Sequence, residues 1–384
     1  MPFLSKKVLL SLTLLLLFAE IFFFVTKQYN YGGLLLTFFW LSLAASFMQY
    51  KSLSKFAYTV IILAAVTVSL SFPQYFISIG SFQLKGLIVP LLQIITFGVG
   101  CTMSWHDLSG VLKMPKAVFA GVTCHYTIMP LVGFSIAKLF GFPPEIAAGV
   151  ILVGCCPSGL ASNVIAFIAK ANLALSVTIT AVSTLLAPLL TPLLMKLLGG
   201  QLVPVSFGGM VLDIVKMVIV PVILGVLVNH FFKHKAVWIH KIMPKISMAG
   251  VALIIVVITA AGRDNMLQIG FALVVAMFLH MTFGLTLGYW SARLWGLSKN
   301  DCRTVGIEVG MQNGGLASGI AAAMGKIATV GLAPAVNGPV MNTTFSLIAT
   351  WWGSRAPKAK NAAATTAIFP VESHGDLANI PVNS

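Results

Sequence analysis

The sequence predicts an all-α polytopic membrane protein with about twelve transmembrane helices. Three observations support this prediction: only 9% of the 384 residues are charged, 58% are hydrophobic, and apolar runs long enough to cross a bilayer follow one another along the chain. Soluble domains contain about 25% charged residues. A water-soluble protein of this length could not cover its surface with so few charges, so lipid must be the solvent for most of the chain.

The apolar runs are separated by short polar loops. The first run follows two lysines, as in a signal peptide, but no small-x-small cleavage site comes after it, so we expect it to be retained as a span. The predicted spans lie roughly at 8–26, 31–50, 56–76, 87–104, 115–139, 145–169, 173–198, 207–231, 246–262, 267–295, 304–325 and 327–353. Residues 356–384 lose this apolar character, and we expect them to form a disordered cytoplasmic tail.

The net charge of +15 indicates the orientation of the chain in the membrane and not nucleic-acid binding. The basic residues lie in short loops, and the sequence contains no folded basic module. With the N-terminus inside, most lysines and arginines fall in cytoplasmic loops. The opposite side has few: Lys27, Lys85, Lys138, Lys196, Arg263 and Lys326. The bias predicts a multi-pass protein of the cell's inner membrane with both termini in the cytoplasm.

An internal repeat organises the chain. At a constant offset of 156, VILVGCCPSGLASNVIAFIAK (150–170) aligns without a gap with GIEVGMQNGGLASGIAAAMGK (306–326). The two copies fall in the sixth and eleventh predicted spans, so they run in opposite directions. We therefore divide the chain into two extra N-terminal helices (1–55), a first inverted repeat (56–205) and a second inverted repeat (206–355), followed by the tail.

Each copy of the repeat carries residues that break a helix. The first has Cys156-Pro157-Ser158-Gly159 and the second has Gln312-Asn313-Gly314-Gly315. Proline lacks a backbone donor and glycine weakens a helix. Lipid cannot satisfy the freed backbone groups, so such breaks are tolerated where protein or a cavity covers them. Paired broken helices in two inverted halves indicate the binding site of a transporter.

Polar side chains surround these breaks. Glu308 is an isolated carboxylate in an apolar span, where a charge costs several kcal/mol unless it is compensated. Hard cations prefer carboxylate, amide, hydroxyl and carbonyl oxygens, which the segment supplies. The neighbouring candidates are Ser162, Asn163, Gln312, and Ser176 and Thr180 on one helix face. Two alternatives are pairing of the carboxylate with a Lys or Arg, and hydroxyl bonding to the helix's own carbonyls.

These motifs resemble those of the bile acid:sodium symporter family, including its bacterial members that move small organic anions. The similarity covers roughly residues 56–353. The segments that carry it are Pro157-Ser-Gly-Leu-Ala-Ser-Asn-Val164, Ala174-Leu-Ser-Val-Thr-Ile-Thr180, Thr184-Leu-Leu-Ala-Pro188 and Glu308-Val-Gly-Met-Gln-Asn313. The resemblance implies a ten-helix inverted-repeat fold, to which the two N-terminal helices are added, with a panel domain and a core domain that contains two crossed broken helices.

The resemblance also implies ligand sets. The first sodium site would use Ser162, Asn163, Ser176, Thr180 and Glu308. The second would use Glu308, Val309, Met311 and Gln312, with His125 at the position where the family usually has Gln. The substrate would contact Leu160, Asn313, Gly314, Asn342 and Thr343.

Two departures from the family pattern bear on these sites. His125 puts the second sodium site in question: a protonated imidazole could replace the charge of an ion, or the ring could hydrogen-bond Glu308 or a carbonyl. In the last span, Met341-Asn342 stands where many relatives have His-Asn, so substrate identity does not transfer.

The sequence therefore predicts a sodium-coupled symporter of a small organic anion that works by alternating access. Sodium is the expected coupling ion, and no organic cofactor or enzyme activity is expected. An alternative is a proton-coupled or uncoupled transporter of organic anions or oxyanions on the same fold. A distant alternative is an intramembrane enzyme, in which Ser158 and His125 would act as a serine–histidine pair or Asp213 as half of an aspartyl dyad.

Overall fold

A computed structural model describes residues 6–25, 32–50, 53–103, 110–159, 161–231 and 237–355 of the chain. These parts are almost entirely helical, apart from a short antiparallel hairpin formed by β1 (Ser78–Ile79) and β2 (Phe82–Gln83). The predicted tail at 356–384 lies outside the described residues. The longer helices are α1 (Lys6–Val25), α2 (Gly32–Met48), α3 (Ala57–Ser71), α4 (Ile88–Thr102), α5 (Pro115–Phe140), α6 (Pro144–Cys155), α7 (Ala161–Ile168), α8 (Leu173–Gly199), α9 (Phe207–Ile214), α10 (Val220–Phe231), α11 (Val237–Ala261), α12 (Arg263–Leu294), α13 (Lys299–Gly310), α14 (Gly314–Ala323) and α15 (Leu332–Ser354).

The helices follow the predicted apolar runs closely. Within the described ranges, five segments are long and apolar enough to cross a membrane: Leu84–Thr102, Pro115–Phe140, Leu173–Gly199, Phe207–Phe231 and Arg263–Leu294. Shorter apolar helices accompany them at Val8–Phe23, Gly32–Met48, Ala57–Ser71, Pro144–Cys155, Lys245–Ala261 and Gly314–Ala323. The protein is thus a polytopic helical membrane protein, while the count of about twelve spans and the domain boundaries stay predictions.

Local sequence sets several helix ends. Pro115 and Pro144 stand in the first turns of α5 and α6, where the missing backbone donor costs nothing. Asn172 and Asn313 are N-caps: their side-chain oxygens accept hydrogen bonds from Leu175 N (3.1 Å) and Leu316 N (3.0 Å). Both caps follow a predicted break or turn, so each cap sets the residue at which the next helix begins.

The helices pack in two groups. One contains α3, α4, α10 and α11, and the other contains α5, α6, α8, α12, α13 and α15. Helix α14 contacts both groups, through α4 and through α15. The two N-terminal helices pack on each other and on α3, with a 2.7 Å hydrogen bond between the buried hydroxyls of Thr13 and Ser42. The predicted division into core and panel domains is compatible with this packing and stays a prediction.

Both predicted helix breaks are present. The first separates α6 from α7, and the second separates α13 from α14 at residues 311–313. The second break begins at Met311, one residue earlier than predicted, and Gly314 already starts α14 because Asn313 caps it. We call residues 156–159 and 311–313 together the junction.

The two breaks meet at the junction. Ser158 and Gln312 form an isolated antiparallel β-bridge. Gly159 N donates to Met311 O and Asn313 N donates to Pro157 O, both at 2.9 Å. Each broken helix therefore satisfies backbone groups that the other leaves without an intrahelical partner, which is how an interruption can persist inside a membrane.

Candidate cation site beside the junction

Glu308 lies in the last turn of α13 and is fully buried. Its Oε2 accepts hydrogen bonds from Ser158 Oγ (2.6 Å) and Thr180 Oγ1 (2.8 Å), and its Oε1 accepts one from Ser176 Oγ. No Lys or Arg forms an ion pair with it in the described part of the chain. The alternative in which a basic residue neutralises Glu308 is therefore not what the structure shows.

A second layer of oxygens surrounds this carboxylate. The Asn163 Oδ1 accepts from Ser176 Oγ (2.9 Å) and from Thr180 Oγ1 (3.4 Å). The hydroxyls of Ser162 and Thr180 are 3.3 Å apart. All five residues predicted for the first sodium site thus lie together, contributed by α7, α8 and α13. The predicted shared face of Ser176 and Thr180 is what lets both reach one carboxylate.

The chemistry of this cluster suits a hard monovalent cation. It combines one carboxylate with hydroxyl and amide oxygens, and hard cations prefer such oxygen ligands. A hydroxyl both donates and accepts, so it can turn its proton away and present a lone pair to an ion without moving its oxygen. In the described ranges no group of three His, Cys, Asp or Glu side chains could hold a transition metal. The cluster is therefore a candidate sodium site.

Ser158 belongs to this cluster, although the sequence did not predict it as a ligand. It is fully buried, and its hydroxyl donates to Glu308. The available signal was its place directly after Pro157 in the first break, which turns a side chain toward the other broken helix. The structure does not form the serine–histidine pair of the enzyme alternative, since His125 contacts two backbone carbonyls instead.

The residues predicted for a second site also lie at the junction, but their oxygens already have partners. Val309 O accepts from Gln312 Nε2 at 2.7 Å. Met311 O accepts from Gly159 N at 2.9 Å and from Ser158 Oγ at 3.4 Å. Among the described residues, Gln312 Oε1 is buried and lacks a hydrogen-bond partner.

His125 projects from α5 into the same region and is fully buried. Its Nδ1 lies 3.0 Å from Glu308 O, and its Nε2 lies 2.9 Å from Cys156 O. Both oxygens are carbonyl acceptors, so a neutral imidazole donates to one of them and an imidazolium donates to both. The contacts are thus compatible with both predicted possibilities, a hydrogen bond to a carbonyl and a protonated ring. The imidazole therefore links the ends of α6 and α13.

The residues predicted to bind substrate are only partly brought together. Asn313 and Gly314 stand at the start of α14, whereas Asn342 and Thr343 lie farther along the chain, on α15. The Thr343 hydroxyl donates to Pro339 O (2.8 Å) and to Thr59 Oγ1 on α3 (3.3 Å), so it contacts the other helix group and not the junction. Leu160 lies outside the described residues.

Asn337 was not predicted from the sequence; it is a polar side chain of α15 beside the start of α14. It is buried, and a Cβ added to Gly314 would lie 3.8 Å from its Nδ2. The signal was a polar residue in an apolar span two positions before Pro339.

Comparison with known proteins shows that this chain is similar to sodium-dependent transporters. A profile described as the sodium bile acid symporter family matches residues 89–269. The chain is 37% identical over 312 residues to the uncharacterized sodium-dependent transporter YocS of Bacillus subtilis, an alignment that covers 80% of this chain and 95% of that protein.

Two further relatives come from plants and animals. The probable sodium/metabolite cotransporter BASS1 of Arabidopsis thaliana chloroplasts is 36% identical over 267 residues, which cover 70% of this chain and 67% of the relative. The ileal sodium/bile acid cotransporter of Homo sapiens is 34% identical over 255 residues, which cover 64% of this chain and 71% of the relative. All of these relatives are named as transporters, and none as an enzyme.

Proposed function

The chain belongs to the sodium bile acid symporter family, and we propose that it carries a small organic anion across the inner membrane together with sodium, by alternating access. The relatives named above are sodium-dependent transporters or cotransporters by name. Sodium coupling is thus a property of the family, whereas the anion and the transport cycle are our proposal.

The observation that carries the proposal is the environment of Glu308. A fully buried carboxylate costs several kcal/mol unless it is compensated. Here the compensation comes from three hydroxyl groups, of Ser158, Ser176 and Thr180, which donate to it. A sodium ion would neutralise the carboxylate and use the same oxygens.

The anion would bind beside the junction, near the start of α14. The first backbone N–H groups of a helix have no intrahelical partner, and the helix dipole makes this end attractive to negative charge. The half-buried Asn313 stands there, with its backbone N–H bonded across the junction and its side chain capping α14. Gly314 N donates to Gln312 O and Leu316 N donates to Asn313 Oδ1, so the dipole of α14, more than these N–H groups, would attract a small carboxylate to this end.

Coupling follows from shared residues. Glu308 lies just before the second break and Gln312 lies within it, and Ser158 of the first break contacts both, through a hydrogen bond to Glu308 and a β-bridge to Gln312. An ion bound by Glu308 and Ser158 would hold the two breaks in one position, and the start of α14 with them. Each ligand would preorganise the site of the other, which is the basis of thermodynamic coupling.

The first test is a thermal-shift series on detergent-purified protein in sodium, potassium or choline chloride at constant ionic strength. We expect selective stabilisation by sodium, because an ion that binds the folded state raises its melting temperature. Stabilisation by a change of pH alone, with no difference between sodium and potassium, would instead support the proton-coupled alternative.

The second test uses proteoliposomes and a screen of small carboxylates, such as keto acids and vitamin precursors. We expect Glu308→Gln to abolish uptake driven by a sodium gradient and to remove the sodium-specific thermal shift. Glu145→Gln is the matched control, since that carboxylate bonds Lys326 and Thr329 and not the cluster. Uptake by Glu308→Gln with unchanged sodium dependence would refute the proposal.

A further inference from the structure

We propose that this chain couples transport to a single sodium ion, because His125 and fixed N–H donors take the place of a second one. The inference rests on the proposed function and refines it. The resemblance implies a second ion held by Glu308, Val309, Met311 and Gln312. The residues present do not fit that ion, for three reasons that follow from the contacts at the junction.

The first reason is the position of His125. Its ring nitrogens lie 3.0 Å from Glu308 O and 2.9 Å from Cys156 O, so the ring fills the gap between the ends of α13 and α6. Carbonyl groups in the last turn of a helix lack intrahelical partners and carry the negative end of the dipole, which makes them natural cation ligands. A neutral imidazole donates one of these bonds and an imidazolium donates both. In either form, a ring N–H donates to a backbone carbonyl at the junction, and that carbonyl is then less available to a cation.

The second reason is the kind of donor that engages the other oxygens. Gly159 N bonds Met311 O, and Gln312 Nε2 bonds Val309 O at 2.7 Å. These groups are donors only and cannot turn a lone pair toward a metal ion. The cluster around Glu308 differs, because its donors are hydroxyls that can also accept. A sodium ion could therefore bind the oxygens of the first site while the hydroxyls turn their protons away. To bind the carbonyl oxygens of the second site, it would have to displace the N–H groups that already donate to them.

The third reason is the number of oxygens that remain. Of the side-chain and carbonyl oxygens predicted for the second site, Gln312 Oε1 is the one without a hydrogen-bond partner among the described residues. Hard cations such as Ca²⁺ and Mg²⁺ take about six or more oxygen ligands. Val309 O keeps a second lone pair, whereas Met311 O already accepts from two donors, so an ion here would find far fewer free oxygens than such cations take.

The test is the equilibrium binding of radioactive sodium to the detergent-purified full-length protein, without substrate. We expect one ion per chain at saturation and a Hill coefficient of about one. Two ions per chain with cooperative binding would overturn the inference while leaving the proposed function intact. No saturable sodium binding would instead count against the proposed function itself.

Two variants separate the sites. Thr180→Val removes a ligand of the first site alone, so it should weaken all sodium binding here by about tenfold or more, whereas in a two-site protein one ion would bind with unchanged affinity. His125→Gln replaces the ring by a side chain with a free carbonyl oxygen but keeps the Gly159 and Gln312 donors in place, so we expect a second ion to bind only at higher sodium concentration than the first. A folded His125→Gln protein without this second, weaker binding phase would show that His125 does not exclude the ion. Should this variant fail to fold, the count in the natural protein and the affinity of Thr180→Val still decide.

Discussion

Glu145 and Asp301 occupy equivalent positions, 156 residues apart, and each bonds the segment that follows the other broken helix. Glu145, in the first turn of α6, bonds the Lys326 ammonium and accepts from Thr329 Oγ1 (2.6 Å) after α14. Asp301, in the first turn of α13, accepts from Asn172 Nδ2 (2.8 Å) after α7. The internal repeat thus extends beyond its sequence motif into a pair of hydrogen-bonded contacts, which we call the ties, at both ends of the broken helices.

These ties lead to a prediction on stability. We expect Asp301→Ala to lower the free energy of unfolding by about 1.5–3 kcal/mol, the range for a hydrogen bond to a charged group. Glu145→Ala should cost less, because its partly exposed ion pair contributes about 0–1 kcal/mol. The measurement is the melting temperature in detergent, with Asp264→Ala as the control, since the ion pair of this exposed carboxylate in the described part of the chain is with its neighbour Arg263. Equal losses in all three variants would argue against the ties.

Ser158 gives a prediction on affinity. Its hydroxyl is one of three that bond Glu308, so Ser158→Ala should weaken sodium affinity by about tenfold, which corresponds to about 1.4 kcal/mol. Sodium selectivity over potassium should remain. Ser183→Ala is the matched control, because this buried serine bonds the backbone carbonyl of Thr180 and not the carboxylate. Sodium titration of the melting temperature measures both, and unchanged affinity in Ser158→Ala would remove Ser158 from the site.

Gly159 gives a prediction on the junction. A Cβ added there would lie 2.7 Å from Gln312 O, in a place where backbone and not a flexible side chain would have to move. Gly159→Ala should therefore separate the two breaks and abolish the sodium-specific thermal shift. Gly208→Ala meets no atom within 4 Å and should behave like the natural protein. A normal sodium response in Gly159→Ala would mean that the contact between the breaks is not needed for ion binding.

Asn313 gives a prediction on the anion. Aspartate is as good an N-cap as asparagine, so Asn313→Asp should keep α14 intact while adding a negative charge where the substrate anion is proposed to bind. We expect KM for the carboxylate identified in the screen to rise by about tenfold or more. Asn313→Ser, which caps without charge, is the control for the helix end. A KM that is unchanged in both variants would place the anion elsewhere.

Much of the fold was predictable because it depends on local chemistry. Apolar runs locate helices in lipid whatever their neighbours, and α8 begins at Leu173 and α10 ends at Phe231, as predicted. The first break was predictable because Pro157 removes a backbone donor, and the second because Gly314-Gly315 weakens the helix. A lone acid in an apolar span indicated where cation ligands could lie, and the family resemblance supplied the set of five residues that is proposed for the first site.

The hydrogen-bond partners of the second-site oxygens could not be predicted from the sequence. The motif Glu308 to Gln312 is present, but its oxygens are engaged by Gly159 and His125, which lie 152 and 183 positions before Met311 and Glu308 in the chain. Sequence spacing cannot tell which donors reach an oxygen across such a separation. The role of Ser158 was hidden for the same reason.

The sequence by itself thus determined the solvent of the chain, the place of its helices, the two interruptions and the residue types of a cation site. The tertiary structure alone decided that the interruptions meet, that three hydroxyls rather than a basic residue compensate Glu308, and that an imidazole stands between two helix ends. The physical reason is range: composition, helix breaking and capping act within a few residues, whereas a binding site is made where segments about 150 residues apart are packed together.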